Sequence, residues 1–518
     1  MKERKSIIIG LFAISYCLLH LSSGMAAHPS ANQPSKAWLA IRAPQMTSQD
    51  TLEVRVWDDY VFDKSINPHR LYTAVNEEGS YYIAIDSLVG LSRMSLTLSY
   101  QKKKGIPNYA ILEDYLIVPG DSVCITMSAR QGVMQPSGGY DGGEPIMLEN
   151  WVCRFAGRGS EKYRVRFAMD ELTGKISRKE MGVNPYPMSE SHLRVKWDFD
   201  RCDSLMAVEL AYLHSIGEEI PRAIEQQLKA DAVGKFNYEK ARIVKDFLLL
   251  SGQTADQLAF VTELAKERLF FSEEGYGSDF LGYAANSPSF IQYMRINYEI
   301  EHRFAKGSYD LTSMFGWINS ELKHQRLKDR VLADLMVFRF DTSPSAELWL
   351  LARATVRDPF CLAWLEKLGK ILPGKEMPDF SLPDLDGRYH TRDEFAGKVL
   401  FVDFWYSGCI PCRRYMRDVV GPLANEFRGE ERVRFLTVST DEREVLMRTL
   451  EEADFIPQNS IKLYTDGLRF DHPLIKYFGI VAYPAPILVG RNGRILASGK
   501  YLKSKDALER LIRQAIDD

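Results

Sequence analysis

The chain has 518 residues, of which 45% are hydrophobic and 26% are charged, and its formal net charge is -3 at pH 7. This length predicts two to four domains, enough to bury more than one sizeable core. The small net charge argues against a nucleic acid or an anionic membrane as a partner recruited by charge alone. The sequence has neither a Walker-type glycine loop nor a paired-histidine metal helix, so we expect no metal and no other cofactor.

The first 27 residues are predicted to be a secretory signal peptide. Three basic residues precede an apolar stretch at 7–21, and small residues at 22–27 offer a cleavage site. Because an apolar stretch of this length is short of the ~20 residues that span a bilayer, we expect cleavage rather than a retained membrane anchor. Export to the periplasm or cell envelope would place the chain where disulfides persist. Membrane contact is expected only if the signal stays uncleaved.

Residues 37–135 are predicted to form a β-rich domain, either a sandwich or a barrel. Short segments of β-branched and aromatic residues alternate with turns, and several such strands at close spacing are typical of these folds. The clearest segments are 51–60, 79–85, 94–100, 110–118 and 122–127. A glycine-rich loop is expected at 130–144.

Residues 145–370 are predicted to form a mainly helical domain that serves as a scaffold or a partner surface. Apolar residues recur at helical spacing in 203–216, 236–250, 257–271, 290–304, 311–339 and 345–368. Aromatic residues at this spacing indicate core packing, as for Phe290, Tyr293 and Tyr298. The segment Gly157-Arg158-Gly159-Ser160 lacks the ending and the strand–helix frame of a phosphate loop, so we predict a surface turn.

The last predicted domain, residues 373–518, begins after a Pro-Gly break. A short hairpin at 380–390 opens it, and a turn at Arg491-Asn492-Gly493 joins its last two strands. The predicted strands are 399–404, 433–439, 461–464, 487–489 and 494–498, with helices at 443–453 and 503–516. This succession indicates an α/β arrangement.

A pair of cysteines lies between the strand at 399–405 and a helical segment, in Cys409-Ile410-Pro411-Cys412. The first N–H groups of a helix have no intrahelical partner, and with the helix dipole they favour a thiolate at Cys409. Pro411 falls in the first turn, where its missing N–H costs nothing. The i to i+3 spacing brings Cys412 close enough for a disulfide. The motif therefore predicts a dithiol that is oxidised and reduced.

These residues carry a family resemblance. The active-site segment of thioredoxin-like oxidoreductases resembles FVDFWYSGCIPC, and the opening of the TlpA-like branch, used in bacterial envelopes, is similar to EMPDFSLPDLDGRYHTRDEFAGKVLFVDFW. The cis-proline segment of the family matches FGIVAYPAPILVGRNGRIL, in which the cis residue would be Pro484. The resemblance begins at about residue 375. We therefore predict a multidomain α+β protein with an N-terminal β-rich domain, a central helical domain and a C-terminal α/β thioredoxin-like fold.

Three residues are predicted to be catalytic. Cys409, on the exposed first turn, would be the attacking thiolate, and Cys412 the resolving thiol of a redox-active disulfide. The resemblance implies that Asp403 lies under this disulfide and accepts the Cys412 proton, directly or through water, with a pKa raised by burial. The alternative for Asp403 is a strand-edge residue bonded to backbone. Half a zinc site is disfavoured, because the remaining cysteines of the mature chain stand singly at Cys124, Cys153, Cys202 and Cys361.

Substrate binding is predicted for Trp405, Tyr483 and Pro484. Trp405 would form one wall of the site, pack in the core, or do both. A cis bond before Pro484 would present the Tyr483 backbone for strand-like pairing with a substrate chain. Pro486 is the competing candidate for the cis bond.

The motif departs from the family pattern in two places. Gly408 stands where a bulky aromatic residue usually precedes the first cysteine, which predicts a more open approach to the sulfur. Tyr415 stands where the TlpA-like branch often has a glutamate, and because a tyrosine with a pKa near 10 is a poor base, acid–base duty shifts to Asp403. Arg413 and Arg414 either favour the thiolate or form a solvated helix face.

Three functions remain open from the sequence. The leading one is a thiol–disulfide oxidoreductase, a reductant or isomerase, whose partners are exported protein thiols or disulfides and an upstream thiol–disulfide electron donor or acceptor. A thiol peroxidase is disfavoured because Val402 and Tyr406 stand where such enzymes need a proline and a threonine. The third is an envelope binding or assembly module with a redox tail.

Overall fold

The structure is a computed structural model that describes residues 36–44, 51–59, 69–99, 109–129, 133–134, 147–148, 151–180, 185–307, 310–339, 345–452, 455–480 and 483–518. The predicted signal peptide and most of the glycine-rich loop lie outside these residues. The chain divides into two compact units, up to Asn297 and from Tyr298 onward. The predicted domain boundaries stay predictions. Within the described ranges, no helix combines the length and the apolar character needed to cross a membrane.

Two four-stranded sheets share one buried core in the first unit, as expected for a sandwich. Their strand orders are β10-β7-β1-β4 and β3-β2-β5-β6. Alternating residues point into the core, for example Leu39 and Ile41 from one sheet and Leu52 and Val54 from the other. The strands are β1 Ala37–Arg42, β2 Thr51–Trp57, β3 Arg70–Val75, β4 Ser80–Ile85, β5 Ser92–Ser99, β6 Tyr109–Ile117, β7 Ser122–Ala129 and β10 Trp151–Arg158, with a separate pair β8 Val133–Met134 and β9 Met147–Leu148.

Strand β10 lies in the stretch that the sequence assigns to the helical region. It pairs antiparallel with β7 along its whole length, and Trp151, Cys153 and Phe155 alternate into the sandwich core. The alternation of buried and exposed residues extends over only a few positions, and a long helical pattern follows it directly. The sequence pattern therefore did not predict a strand here. The β-rich part of the chain therefore includes this later strand.

The Gly157-Arg158-Gly159-Ser160 turn joins β10 directly to a helix, so the prediction that it lacks a strand–helix frame is wrong. The predicted surface turn is found only at Gly159, because the exposed Gly157 and Arg158 end β10 and the buried Ser160 begins the helix. A Cβ atom at Gly159 would lie 2.1 Å from the Asp121 carboxylate. That carboxylate binds Lys162 Nζ at 2.6 Å. An internal carboxylate thus lies against this turn, and the glycine permits its close approach.

Helices follow the sandwich in the first unit. A capping box of Thr254 and Gln257 starts one of them. The predicted core aromatics Phe290, Tyr293 and Tyr298 are buried, which confirms that reading. The helices are α1 Ser160–Glu180, α2 Ser191–Ser215, α3 Arg222–Leu249, α4 Ala255–Arg268 and α5 Ser278–Ala284, and the division between the units falls within α6 Pro288–Lys306.

The second unit continues with four helices and ends in a five-stranded sheet of order β15-β14-β13-β16-β17. Strands β13, β14 and β15 are parallel, and β16 and β17 run antiparallel to their neighbours. The strands and helices predicted within residues 373–518 are found within two residues at their ends, whereas the helical stretches predicted at 311–339 and 345–368 are each divided into two helices. The elements are α7 Leu311–Glu321, α8 Gln325–Arg339, α9 Ala346–Thr355, α10 Pro359–Gly369, β11 Ser381–Pro383, β12 Tyr389–Thr391, β13 Val399–Trp405, α11 Ile410–Tyr415, α12 Gly421–Glu426, β14 Val433–Ser439, α13 Arg443–Glu452, β15 Ile461–Tyr464, α14 Pro473–Phe478, β16 Ala485–Val489, β17 Ile495–Ser498 and α15 Lys505–Asp517.

Strand β13 is the centre of this sheet, and all seven of its residues are buried. Val399 and Phe401 point to the side covered by α12 and α15, whereas Leu400, Val402 and Phe404 point to the side covered by α14. Asp403 is an even number of residues from Val399 and Phe401, so its side chain points to the same side of the sheet, which α12 and α15 cover. This register places a carboxylate in the middle of a two-sided core.

Candidate redox-active site

The two cysteines lie at the start of α11, one short turn after β13. The Cys409 N–H donates to the Tyr406 carbonyl at 3.1 Å, which closes the turn, and Cys409 is the N-cap residue of the helix. Its sulfur accepts the Cys412 N–H at 3.1 Å, and a disulfide joins the two residues with their Cα atoms 5.2 Å apart. Pro411 is in the first turn, as predicted. The arrangement gives Cys409 the N–H donor that stabilises a thiolate once the disulfide is reduced.

Both cysteines are buried, so the prediction of an exposed first turn is wrong for Cys409. Its exposed fraction is 3%, and that of Cys412 is 0%. An ideal Cβ at Gly408 would lie 3.3 Å from the Tyr406 ring, so this ring occupies the space beside the glycine. The predicted open approach to the sulfur is therefore not found. The apolar cluster around the cysteines contains Trp405, Met416, Leu446, Ile456 and Tyr464, with Leu385, Tyr406, Leu450, Phe455 and Tyr483 packed against it.

Asp403 has an exposed fraction of 0% and lies on the central strand, which rules out the strand-edge alternative. Neither carboxylate oxygen has a hydrogen-bond partner among the described residues, and the nearby Ala485 N–H does not reach hydrogen-bond geometry. Burial raises the pKa of Asp403 well above its usual range, while the positive charge of Lys503 and the Ala485 N–H oppose that shift. Its register partner on β14 is Thr437, whose hydroxyl is also buried without a partner in the described structure. A proton transferred to this carboxyl group is therefore held more tightly than one on a solvent-exposed aspartate.

Tyr415 does not take over acid–base duty. Its hydroxyl donates to the Leu502 carbonyl at 2.8 Å, and burial together with the neighbouring Asp403 raises the pKa of Tyr415 well above 10. A phenol held in this way stays protonated at neutral pH. Asp403 remains the candidate proton acceptor.

The residues predicted to bind substrate lie around the cysteine turn. Trp405 is buried in the same cluster as the cysteines and meets the Phe455 ring edge-on at 5.9 Å, so it packs as core beside the sulfurs. The Tyr483–Pro484 peptide bond is cis, as predicted, whereas the competing candidate Pro486 pairs with Asp403 inside β16. Their roles in binding stay predictions.

Sequence reasoning missed the residues that hold the turn before Cys409. Ser407 donates from its backbone N–H and from its hydroxyl to Asp441, both at 2.7 Å. Arg413 donates to the Ser407 carbonyl and lies over the Phe455 ring at 5.4 Å, so it is more than a solvated helix residue. A polar Ser-Thr-Asp run directly after a buried parallel strand was the available signal, because the carboxyl ends of parallel strands meet at one edge of a sheet.

The zinc alternative finds no support in the part of the chain that the structure describes, where no three potential metal ligands come together. Burial raises the pKa of the Cys153 and Cys202 thiols to about 12, so both stay protonated at neutral pH. These two cysteines lie in the first unit, whereas Cys409 lies in the second.

Comparison with known proteins assigns the C-terminal part of the chain. The model of the AhpC/TSA family matches residues 373–498. The thiol-disulfide oxidoreductase ResA of Bacillus cereus is 26% identical over 154 residues, which are 29% of this chain and 83% of the relative. ResA of Geobacillus thermodenitrificans is 30% identical over 133 residues, which are 24% of this chain and 66% of the relative.

The chain ends in a thioredoxin-like oxidoreductase domain. The resemblance predicted from the sequence is confirmed for this part of the chain. A solved structure titled as a putative thiol-disulfide oxidoreductase from Bacteroides vulgatus is 23% identical and covers 28% of this chain and 98% of its own, with a TM-score of 0.25. The named ResA relatives match between 24% and 29% of this chain.

Proposed function

We propose that the thioredoxin-like domain exchanges disulfides with exported proteins through Cys409 and Cys412. The observation that carries this proposal is the disulfide at the first turn of α11, next to a strand that holds the buried Asp403. A helix N-terminus favours the thiolate of the first cysteine, and the unpaired buried carboxyl group on the preceding strand supplies a proton acceptor. The thiolate serves the attack on the substrate disulfide, and the proton acceptor serves the attack of Cys412 on the mixed disulfide.

The reaction proceeds by two exchanges. In the reduced protein the Cys409 thiolate attacks a substrate disulfide, forms a mixed disulfide and releases one substrate thiolate, which takes a proton from water. Cys412 then gives its proton to ionised Asp403 and attacks Cys409, which breaks the mixed disulfide and releases the second substrate thiolate. The substrate gains two electrons and the Cys409–Cys412 disulfide forms. An upstream dithiol reduces this disulfide again by the same exchange in reverse.

The N-terminal sequence supports the proposed substrates and compartment. A basic, apolar and then small-residue N-terminus indicates export, and the periplasm or cell envelope is where protein disulfides persist. The relatives named thiol-disulfide oxidoreductase act in the same chemical class. The direction of electron flow stays as the sequence analysis predicts it, a reductant or isomerase, and the reduction potential of the Cys409–Cys412 pair tests it.

Turnover of insulin disulfides by the full chain tests the proposal. We expect Cys409→Ala to abolish turnover, Cys412→Ser to trap a mixed disulfide, and Cys202→Ala, a buried cysteine in the other unit, to behave as wild type. Full activity of Cys409→Ala would rule the mechanism out. Peroxide consumption without insulin turnover would instead support the thiol peroxidase, and partner capture without either activity the binding module.

A further inference from the structure

Ser407, two residues before Cys409, is held by more hydrogen bonds than its place in a short turn requires. Its backbone N–H and its hydroxyl both donate to Asp441 Oδ2 at 2.7 Å. Its carbonyl accepts from Arg413 Nη2 at 2.7 Å and Nε at 3.0 Å. Every polar group of this one residue is therefore engaged by side chains from outside the turn.

Asp441 is itself fixed to the end of the sheet. The Ser439 hydroxyl donates to the same Oδ2 atom at 2.9 Å, and the Asp441 N–H donates back to the Ser439 hydroxyl at 3.1 Å. Between them, the Thr440 N–H donates to the Trp405 carbonyl at 2.9 Å and so joins the ends of β14 and β13. The carboxylate is consequently a rigid acceptor, because its own backbone is anchored to the strand that precedes the cysteine turn.

A third element reaches the same point. Thr449 Oγ1 on α13 lies 2.7 Å from the Ser407 hydroxyl oxygen and 2.9 Å from the Val445 carbonyl oxygen, and its single hydrogen is shared between these two acceptors. Ser407 thus connects the β14–α13 loop, the helix α13 and the helix α11. Hydrogen bonds to a charged acceptor are about twice as strong as neutral ones, so the Asp441 contacts dominate this connection.

We propose that Asp441 is a positioning residue that, through Ser407, fixes the turn presenting the Cys409 sulfur to the first N–H groups of α11. The proposal rests on the proposed function, because it assigns a role in generating the attacking thiolate. With the turn held, the Cys409 sulfur keeps its place beside the Cys412 N–H, at 3.1 Å in the disulfide form. When the turn is released, the sulfur moves off this donor and the thiolate loses stabilisation.

Asp441 acts on the Cys409 thiolate in two opposing ways, which two substitutions separate. Its negative charge disfavours a nearby thiolate, whereas its acceptor oxygen holds the turn. Asp441→Asn removes the charge and keeps an acceptor for Ser407, and Asp441→Ala removes both. The phenols of Tyr406, Tyr464 and Tyr483, which pack in the cysteine cluster, are unchanged in this comparison, as are Asp403 on β13 and Arg413 on α11.

The experiment measures the pKa of Cys409 from the pH dependence of iodoacetamide labelling in the full chain carrying Cys412→Ser. We expect the pKa in Asp441→Ala to exceed that in Asp441→Asn by about one unit, the size of a weakened charge-assisted hydrogen bond. The matched control is Glu442→Ala, which removes an equal charge one residue along and is expected to leave the pKa within a few tenths of wild type.

Equal pKa values in Asp441→Ala and Asp441→Asn, or a shift as large in Glu442→Ala, would overturn the proposal. If Asp441→Ala does not fold, Thr449→Val tests the same connection, with a smaller rise of the pKa expected and no change refuting it. Insulin turnover by the wild-type chain is measured alongside. Its absence would refute the proposed function, whereas the labelling result judges the role of Asp441 independently of turnover.

Discussion

The pH dependence of stability tests whether burial on β13 raises the pKa of Asp403. Its pKa is raised in the folded protein by burial, so the folded state binds its proton more tightly than the unfolded state does, where the pKa is about 3.9. Stability from this group is therefore fully present at low pH and falls as the pH rises above the unfolded value. Between the two pKa values, the free energy of unfolding decreases by about 1.36 kcal/mol for each pH unit.

The perturbation is Asp403→Asn, which keeps the size of the side chain and removes its titration. The difference in unfolding free energy between the variant and the wild type should grow in favour of the variant by about 1.36 kcal/mol per pH unit from about pH 5 upward, until the folded pKa is reached. Subtracting the two proteins cancels the other titrating groups. Hydrogen exchange of the β13 amides in the oxidised full chain reports this local stability at each pH.

Thr437→Val is the matched control, since it changes the neighbouring buried polar group without removing a titratable one. Its stability difference from wild type should not depend on pH. Parallel pH profiles for Asp403→Asn and wild type would contradict a raised pKa. The same variant should slow the release of mixed disulfides by about 100-fold, as expected for the loss of a positioned proton acceptor, and unchanged release would remove Asp403 from the mechanism.

Two further substitutions test the covering of the sulfur and the turn in the first unit. Tyr406→Ala should speed iodoacetamide labelling of Cys409 in the reduced protein several-fold, because the ring beside Gly408 is removed. Tyr406→Phe keeps the ring and should keep the wild-type labelling rate. Equal rates in all three proteins would show that the ring does not shield the sulfur. In urea unfolding, Gly159→Ala should destabilise the first unit by about 1–3 kcal/mol more than Gly252→Ala. Both glycines have a positive φ, but an added Cβ is crowded only at Gly159. Equal losses of unfolding free energy would show that crowding against Asp121 does not destabilise the protein.

The elements that the sequence predicts well are those with local signals. The buried run at 399–405, the cysteine spacing and the following helix are all written within a few neighbouring residues, and the structure contains them as β13 and α11. The burial of Asp403 is equally readable, because a lone carboxylate in an apolar strand must enter the core with its neighbours. Strand periodicity thus placed the acid correctly.

The features that the sequence does not predict depend on contacts between distant residues. The bond between Ser407 and Asp441 spans 34 positions, and nothing near either residue marks the other as its partner. Strand β10 is a strand because β7 pairs with it, although a long helix follows it in the chain. The low exposure of Cys409 likewise depends on residues from several loops, and a local reading of the helix start cannot include them.

The burial of both sulfurs has a consequence for their reaction with small molecules. A small thiol or oxidant that diffuses past meets rings and aliphatic side chains before it meets sulfur, and the rate of exchange depends on access as well as on reactivity. The dithiol is thereby insulated from the bulk redox buffer. For the disulfide exchange proposed here, a protein substrate would therefore have to displace part of this apolar cover before its sulfur reached Cys409.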